Sequence, residues 1–167
     1  MSILSPNKIY TDFKNNKLDK NQALWLLISL IDDIQEYDDN TRLRGIKYLE
    51  LFDIRDVKIF NFLENLLISD LNEHIRGQAA RILIFRFPER AFKPIKWVLK
   101  HEKADSCLIK IIKSIEEFCD ENLKSILKKI QYVNIKGKII FPSKSTMEIP
   151  SLEFSTRSLY ISSDFFN

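Results

Sequence analysis

Apolar side chains recur at helical spacing along most of the chain, and short polar turns separate one stretch from the next. Between residues 18 and 37 the apolar positions repeat with a period of about 3.6, and Asp19 can cap the start of this helix. The same pattern predicts helices over about 41–52 and 56–69, from the turn at 69–72 to about Phe87, and over 89–100, 105–118 and 121–132. Pro94 lacks a backbone N–H, so it should kink the fifth helix or delay its start. The pattern therefore predicts an all-α fold of three antiparallel helix pairs with one further helix.

The two ends of the chain have a different pattern. Residues 1–17 are polar with isolated apolar positions, which predicts an N-terminal arm or short capping turn. From Val133 to Phe141 apolar and polar residues alternate, which favours short strands or an extended flap on the last helix. The start of a further domain is the alternative for this tail. We therefore predict an arm at 1–17, a helical domain at 18–132 and an extended or β-rich tail at 133–167.

A turn followed by a helix recurs along the helical part. Its central copy runs from Asp70 to Leu83, and a matching set lies 32 positions earlier: Asp38, Asn40, Arg44, Gly45 and Leu51. A weaker copy lies 32 positions later and keeps the apolar frame: Cys107, Ile111, Ile112 and Ile115. A fixed period of this size is typical of stacked helix pairs.

The central copy resembles the HEAT-like repeat of armadillo-type proteins. In that family an Asp in the turn precedes a helix of the form Val/Ile-Arg-x-x-Ala-Ala-x-x-Leu, and the residues here that fit are Asp70, Ile75, Arg76, Ala79, Ala80 and Leu83. The first copy fits in part, and the third has Leu108 in place of the Arg. The resemblance covers about residues 18–130.

The resemblance implies an α-solenoid, a right-handed α-α superhelix whose second helices line one curved face. It also implies a structural ladder of hydrogen bonds between neighbouring repeats, formed here by Asp38, Arg44, Asp70 and Arg76. Charge-assisted pairs of this kind are stronger than neutral ones. We therefore expect Arg76→Ala to cost more than the loss of a surface ion pair, about 0–1 kcal/mol, with Arg42→Ala as the surface comparison.

Charge is distributed unevenly along the chain. The net charge is +3, but residues 86–144 hold 14 Lys and Arg against 7 Asp and Glu. These bases allow a phosphate-tracking surface whose affinity would fall with salt. The simpler explanation is that lysines fill the exposed faces of amphipathic helices, and the scarcity of Arg counts against bidentate phosphate recognition.

The sequence offers no pattern for catalysis. It has no Gly-rich phosphate loop, nucleophile elbow, His-Glu-x-x-His or Cys-x-x-Cys motif, so we expect no enzyme activity, cofactor or metal. Neighbouring carboxylates such as Asp32 and Asp33 point in different directions on a helix and are better explained as caps and exposed positions. Cys107 and Cys119 do not form a disulfide framework. With no signal peptide pattern and no apolar run of membrane length, we expect a cytoplasmic protein without a membrane span.

Two functions remain open. We favour a non-catalytic protein–protein interaction scaffold that binds an acidic segment of another protein on its curved face. Its contact residues would be Gln78, Arg81, Lys110 and Lys113, with Lys93, Lys96 and Trp97 beside them. The alternative is a nucleic-acid-binding repeat that uses the basic face of residues 86–144. Some HEAT-like proteins are DNA-repair glycosylases, but the Asp and aromatic set that such an enzyme requires cannot be assigned here.

Overall fold

Helices make up most of the structure, a computed structural model that describes residues 5–34, 36–118, 121–129, 132–135, 138–140 and 158–159. The helices in this part of the chain are α1 (Pro6–Lys14), α2 (Lys20–Asp32), α3 (Asp39–Glu50), α4 (Val57–Ser69), α5 (Glu73–Arg86), α6 (Pro88–His101), α7 (Asp105–Phe118) and α8 (Glu121–Lys129). The prediction of an all-α fold is therefore confirmed for the helical part. The proposed domain boundaries stay predictions.

Side-chain caps set the starts of several helices. Asp19 accepts a hydrogen bond from the Gln22 backbone N–H at 2.8 Å, and the Gln22 side chain accepts one from the Asp19 N–H at 2.9 Å. This reciprocal arrangement satisfies two backbone donors that the first helical turn leaves free. The side chains of Asp38 and Asn72 accept hydrogen bonds from backbone N–H groups at the starts of α3 and α5. The polar turns of the sequence are thus real helix starts.

Two helix starts differ from the pattern in the sequence. The predicted arm at 1–17 contains a full helix, α1, which is capped by Ser5 and has Pro6 in its first turn. Pro94 does not delay α6, since this helix begins at Pro88 and continues through Pro94 to His101. The missing N–H of Pro94 leaves the carbonyl of Arg90 without its usual helical donor.

The helices lie in two rows. In the odd row α1 contacts α3, α3 contacts α5, and α5 contacts α7. In the even row α4 contacts α6 and α6 contacts α8, while α2 shares a cavity wall with the start of α4. Sequential helices join the rows, as α2 packs on α3 and α4 on α5. Each helix therefore packs mainly on near neighbours in sequence.

The centre of the core is α5. It packs on α3, α4, α6 and α7, and residues on every side of it are buried: Ile75, Gly77, Gln78, Ala79, Ala80, Ile82, Leu83 and Ile84. Small residues at Gly77, Ala79 and Ala80 let neighbouring helices approach closely. Cys107, on α7, is buried as its place in the apolar frame predicted, whereas Cys119 falls outside the described residues.

A small antiparallel sheet follows the helices. Its strands are β1 (Tyr132–Ile135), β2 (Lys138–Ile140) and β3 (Ser158–Leu159), in the order β2-β1-β3. Val133 is opposite Ile140, and Tyr132 is opposite Leu159. Most of the predicted tail at 133–167 lies outside the described residues, so its packing on the last helix stays a prediction. No helix within the described ranges combines the length and apolar character needed to cross a membrane.

Candidate interaction surfaces

An ion pair joins two successive turns, but it uses Arg42 instead of the predicted Arg44. Arg42 Nη2 lies 2.5 Å from Asp70 Oδ2, and its Nε donates to the Ile31 carbonyl at 2.6 Å. Arg44 is exposed and contacts the Thr41 hydroxyl within its own helix. Asp38 is also exposed, and the backbone N–H of Thr41 lowers the pKa of its carboxyl. The structure therefore does not bring Asp38 and Arg44 into a contact between repeats.

The second predicted Arg makes a contact toward the next turn. Arg76 holds Glu102 with two bonds, from Nε at 2.7 Å and from Nη2 at 2.9 Å, and its Nη1 donates to the Asp70 carbonyl at 2.7 Å. Burial raises the pKa of Glu102, but the bonds from Arg76 and the backbone N–H groups of Ala104 and Lys103 outweigh it and lower the pKa to about 2. A bidentate pair in this setting fixes the turn after α6 against α5.

The helix caps explain why Arg42 takes the place predicted for Arg44. Arg42 and Arg76 each stand at the fourth position after their caps, Asp38 and Asn72. The caps therefore make Arg42 the equivalent of Arg76, whereas the fixed period in the sequence aligns Arg44 with Arg76. A side chain's direction on a helix depends on its distance from the cap, so this small difference in alignment selects a different Arg.

Two of the predicted contact residues are committed to other helices of the same chain. Gln78 is buried and donates to Glu50 Oε2 at 2.5 Å. Arg81 binds Glu50 Oε1 at 2.8 Å and Glu117 Oε2 at 2.5 Å, which links α3, α5 and α7. Glu117 and burial act in opposite senses on Arg81, and the net effect raises the pKa of its guanidinium. The charge of Arg81 is therefore neutralised by carboxylates of the same chain.

Lys110 and Lys113 lie on the same row. Lys113 is exposed, and Lys110 borders a groove of about 330 Å³ with Lys47, Gly77 and Gln78 in its walls. Burial and the charge of Arg81 lower the pKa of Lys110. The stem of Lys110 lies directly over Gly77, where an added Cβ would be 3.2 Å from Lys110 Cβ. The absence of a side chain at Gly77 thus provides the space that this lysine occupies.

Lys93, Lys96 and Trp97 lie on α6, in the other row. Trp97 is 47% exposed and stacks on His101 with ring centroids 4.3 Å apart. The basic residues of 86–144 are therefore divided between the two rows, because Lys110 and Lys113 lie on α7. They do not form one continuous face in this part of the chain.

Large apolar side chains are exposed along the even row. The helical examples are Trp25 on α2, Val57 and Ile68 on α4, and Trp97 on α6. The apolar pattern of the sequence favours core positions for Trp25 and Val57, which is wrong, since Trp25 is 53% and Val57 48% exposed. Exposed apolar side chains grouped on one side of a molecule are typical of interaction surfaces.

A seam between α4 and α6 contains two depressions, and we call it the α4–α6 seam. Its first depression is a groove of about 800 Å³ with Val57, Phe60 and Phe92 among its apolar walls. The second, of about 290 Å³, has Ile68, Trp97 and His101 in its wall. Since Val57 and Ile68 lie near opposite ends of α4, the two depressions lie at opposite ends of the seam.

Basic residues of α6 border the α4–α6 seam. Arg90 and Lys93 line the first depression, and the Arg90 guanidinium lies 5.7 Å from the centroid of the Phe60 ring. Lys103, in the turn after α6, lines the second together with the acids Asp70 and Glu102. The acids Glu64 and Glu89 are also present in the first depression. The helical spacing of apolar residues in α6 indicates which of its sides is buried. The groove, however, depends on the distance between α4 and α6, which no local sequence pattern specifies.

No cluster of three His, Cys, Asp or Glu side chains within the described ranges could hold a metal ion. Comparisons of the whole chain with protein-family models, curated proteins and solved structures found no match. The interpretation of function therefore depends on the surfaces described above.

Proposed function

We propose that this protein is a non-catalytic protein–protein interaction scaffold whose partner binds on the even row of helices. The observation that carries the proposal is the α4–α6 seam, whose first depression is a groove of about 800 Å³ with apolar walls and both basic and acidic side chains in its lining. Apolar pockets with a few charged groups at the edge are typical of protein recognition sites. An acidic segment of the partner would complement Arg90, Lys93 and Lys103.

The proposed partner surface differs from the one that the repeat resemblance suggests. The second-helix face has Gln78 buried and Arg81 bound between two glutamates. A partner that used these groups would first have to break ion pairs within the chain. Trp97 and Lys93 on the even row remain exposed, and aromatic residues are frequent among those that contribute most to binding.

We also propose a relation to HEAT-like stacks, with the right-handed superhelix that this relation implies, and the arrangement of helices in two rows supports the stack. Contacts from α3 to α5 to α7 repeat the same step along the odd row. The Arg42–Asp70 and Arg76–Glu102 pairs fix successive turns to each other. A stack held in this way presents its surface in a preorganised form, which lowers the ordering cost of binding.

Nucleic-acid binding is the second candidate, and the Trp97–His101 stack is the observation that favours it. Bases stack readily on exposed aromatic side chains beside positive charge. The division of the lysines between α6 and α7 weighs against it, since a phosphate backbone needs a continuous basic track.

A pair of binding experiments separates the two candidates. Labelled single- and double-stranded DNA and RNA are titrated from low to physiological salt, and a displayed library of acidic peptides is selected against the immobilised full chain beside a basic library of the same design. We expect acidic peptides to be enriched and nucleic acid not to bind at low salt. Salt-sensitive nucleic-acid binding that is lost in Lys93→Glu, without peptide enrichment, would favour the second candidate.

A further inference from the structure

A small polar groove lies on the odd row, where α5 packs on both α3 and α7. Lys47 of α3, Gly77 of α5 and Lys110 of α7 all line it, and its volume is about 330 Å³. We call it the Gly77 groove. Other polar side chains in its lining are Glu73, His74, Gln78 and Ser106. The groove is on the opposite row from the α4–α6 seam, so it is a separate surface.

Gly77 allows Lys110 to lie close to α5. A Cβ at position 77 would be 3.2 Å from Lys110 Cβ and 3.3 Å from Lys110 Cγ. The apolar stem of the lysine therefore packs on the helix, while its ammonium group is the polar end of a half-buried side chain. A lysine that is held by its stem loses less freedom on binding a ligand than a fully exposed one.

The ammonium groups of Lys47 and Lys110 lack a protein acceptor. Within the described part of the chain, neither side chain forms an ion pair or donates a hydrogen bond. Each ammonium has three N–H donors, which are therefore available to water or to a ligand. Burial lowers the pKa of Lys110, and the charges of Arg81 and Lys47 add to this effect. An anion between the two ammonium groups would relieve their repulsion.

The carboxylates near the Gly77 groove are bound to other groups. Among the described residues of the lining, Glu73 is the only acid, and it accepts a hydrogen bond from the Ser106 hydroxyl. Glu50 and Glu117 lie beyond the lining and are both held by Arg81. They act on the half-buried lysine of the groove in the sense opposite to the cations, without forming an ion pair with it. The lining thus contains two lysines against one acid.

The kind of cation in the groove favours phosphate as the anion. Lysine binds phosphate as a compact point charge, whereas the planar recognition of a carboxylate by two parallel hydrogen bonds requires arginine. The nearby Arg81 is already bound to two glutamates. A phosphate monoester carries a charge of about −1.5 to −2 at neutral pH, which matches two ammonium groups. Each phosphodiester of a nucleic acid carries a single negative charge and matches them less well.

We propose that the Gly77 groove binds a phosphate group between the ammonium groups of Lys47 and Lys110. Inorganic phosphate and the phosphate of a monoester present this same chemistry. The inference goes beyond the proposed scaffold function, because the site is on the other row of helices and takes a different ligand. A bound phosphate would link α3 to α7 across Gly77.

The experiment follows the backbone amides of the 15N-labelled full chain by NMR. Sodium phosphate replaces sodium chloride at constant ionic strength and neutral pH, and we expect saturable shifts that are confined to the residues around Lys47, Gly77 and Lys110. Phosphoserine is titrated in the same way, with serine as its control. Tighter binding of phosphoserine than of inorganic phosphate would support the site with an ester as its ligand, and the reverse order would support it with the free ion.

Matched variants locate the binding site. Lys110→Gln and Lys47→Gln should each weaken phosphate binding at least about tenfold, as expected for the loss of one hydrogen bond from a charged group. Lys113→Gln removes the same charge one turn further along α7, at an exposed position outside the groove, and should leave affinity unchanged. Circular dichroism and thermal unfolding verify that each variant is folded.

Three results would overturn the proposal. Shifts that increase with phosphate without saturating, or an equal loss of affinity in Lys113→Gln, would indicate a general attraction to positive charge. Saturable binding that Lys110→Gln leaves unchanged would place the phosphate elsewhere. None of these results bears on the selection of acidic peptides, so the proposed scaffold function stands or fails independently.

Discussion

Arg42 Nη2 and Asp70 Oδ2 lie 2.5 Å apart, although 28 residues separate them in sequence and each side chain is only 4% exposed. Arg42 belongs to α3, and Asp70 begins the turn that leads into α5. Asp70 Oδ1 also accepts the Asn72 backbone N–H at 2.9 Å. One buried pair thus connects the packing of α3 with the geometry of the next turn.

Loss of one partner from this pair should be costly. In Arg42→Ala the carboxylate of Asp70 stays buried without its cation, and we expect the free energy of unfolding to fall by about 3–5 kcal/mol. Arg44→Ala, two positions away on the exposed side of α3, should change it by less than about 0.5 kcal/mol. Urea unfolding followed by circular dichroism measures both. Similar losses in the two variants would show that the pair is not buried in solution.

Because Arg42 is buried, Arg42→Ala is unsuitable as the surface comparison for Arg76→Ala. Arg55, which is exposed, is a better comparison.

The Arg76–Glu102 pair should make stability depend on pH. The pKa of Glu102 is about 2 in the folded chain, below the ordinary value of 4.5, because Arg76 and backbone N–H groups stabilise the ionised form. The contribution is thus complete above pH 4.5 and is lost as the pH falls toward 2. We expect Arg76→Ala to reduce this decline, whereas Arg55→Ala preserves it. Urea unfolding at a series of pH values provides the measurement, and identical slopes in the two variants would contradict the assignment.

Gly45 marks a close approach of α2 and α3. A Cβ at this position would lie 2.9 Å from Ile31 Cγ1 and 3.0 Å from Leu30 Cδ2, and both side chains are buried. Overpacking costs about 1–3 kcal/mol, and the better helix propensity of Ala returns about 1 kcal/mol. Gly45→Ala should therefore destabilise the chain by about 1 kcal/mol in urea unfolding. Lys47→Ala, an exposed site on the same helix, serves as the control. A stabilising effect of Gly45→Ala would mean that the helices are further apart.

Arg81 should affect stability and leave partner binding unchanged. Its guanidinium links Glu50 and Glu117 and lies 4.5 Å from the centroid of the Phe85 ring. Arg81→Ala removes a partly buried link between three helices, so we expect a loss of about 1–3 kcal/mol. Lys113→Ala should change stability by less than about 0.5 kcal/mol. Thermal unfolding tests this, and affinity for the enriched acidic peptides should be equal in both variants. A selective loss of affinity in Arg81→Ala would restore the second-helix face as the partner surface.

Local signals in the sequence were sufficient for most helices. The sequence predicts a helix that is capped by Asp105 and ends near Phe118, and α7 spans Asp105–Phe118 with Asp105 already inside its first turn. The helix α1 was missed because its apolar residues are few, although Ser5 followed by Pro6 was an available start signal. Caps and periodicity are properties of neighbouring residues and can be read directly.

Contacts between helices were harder to predict than the helices themselves. The fixed interval between copies paired Arg44 with Arg76, whereas the caps place Arg42 and Arg76 in equivalent positions. The association of Glu50, Arg81 and Glu117 depends on how three helices pack, and no spacing in the sequence indicates it. Exposure of Trp25 and Trp97 likewise depends on whether another element covers them, since an apolar pattern alone cannot distinguish a buried face from an unoccupied interface.

Because α5 packs on α3, α4, α6 and α7, its hydrogen bonds cannot open while the helices around it stay in place. Its amide protons should therefore exchange with solvent only when the whole helical stack unfolds, and their exchange rates should report the global free energy. Helix α1, at the edge of the stack, can detach without disturbing α5. The chain is thus expected to lose structure from this edge first, with the central helix as its last cooperative unit.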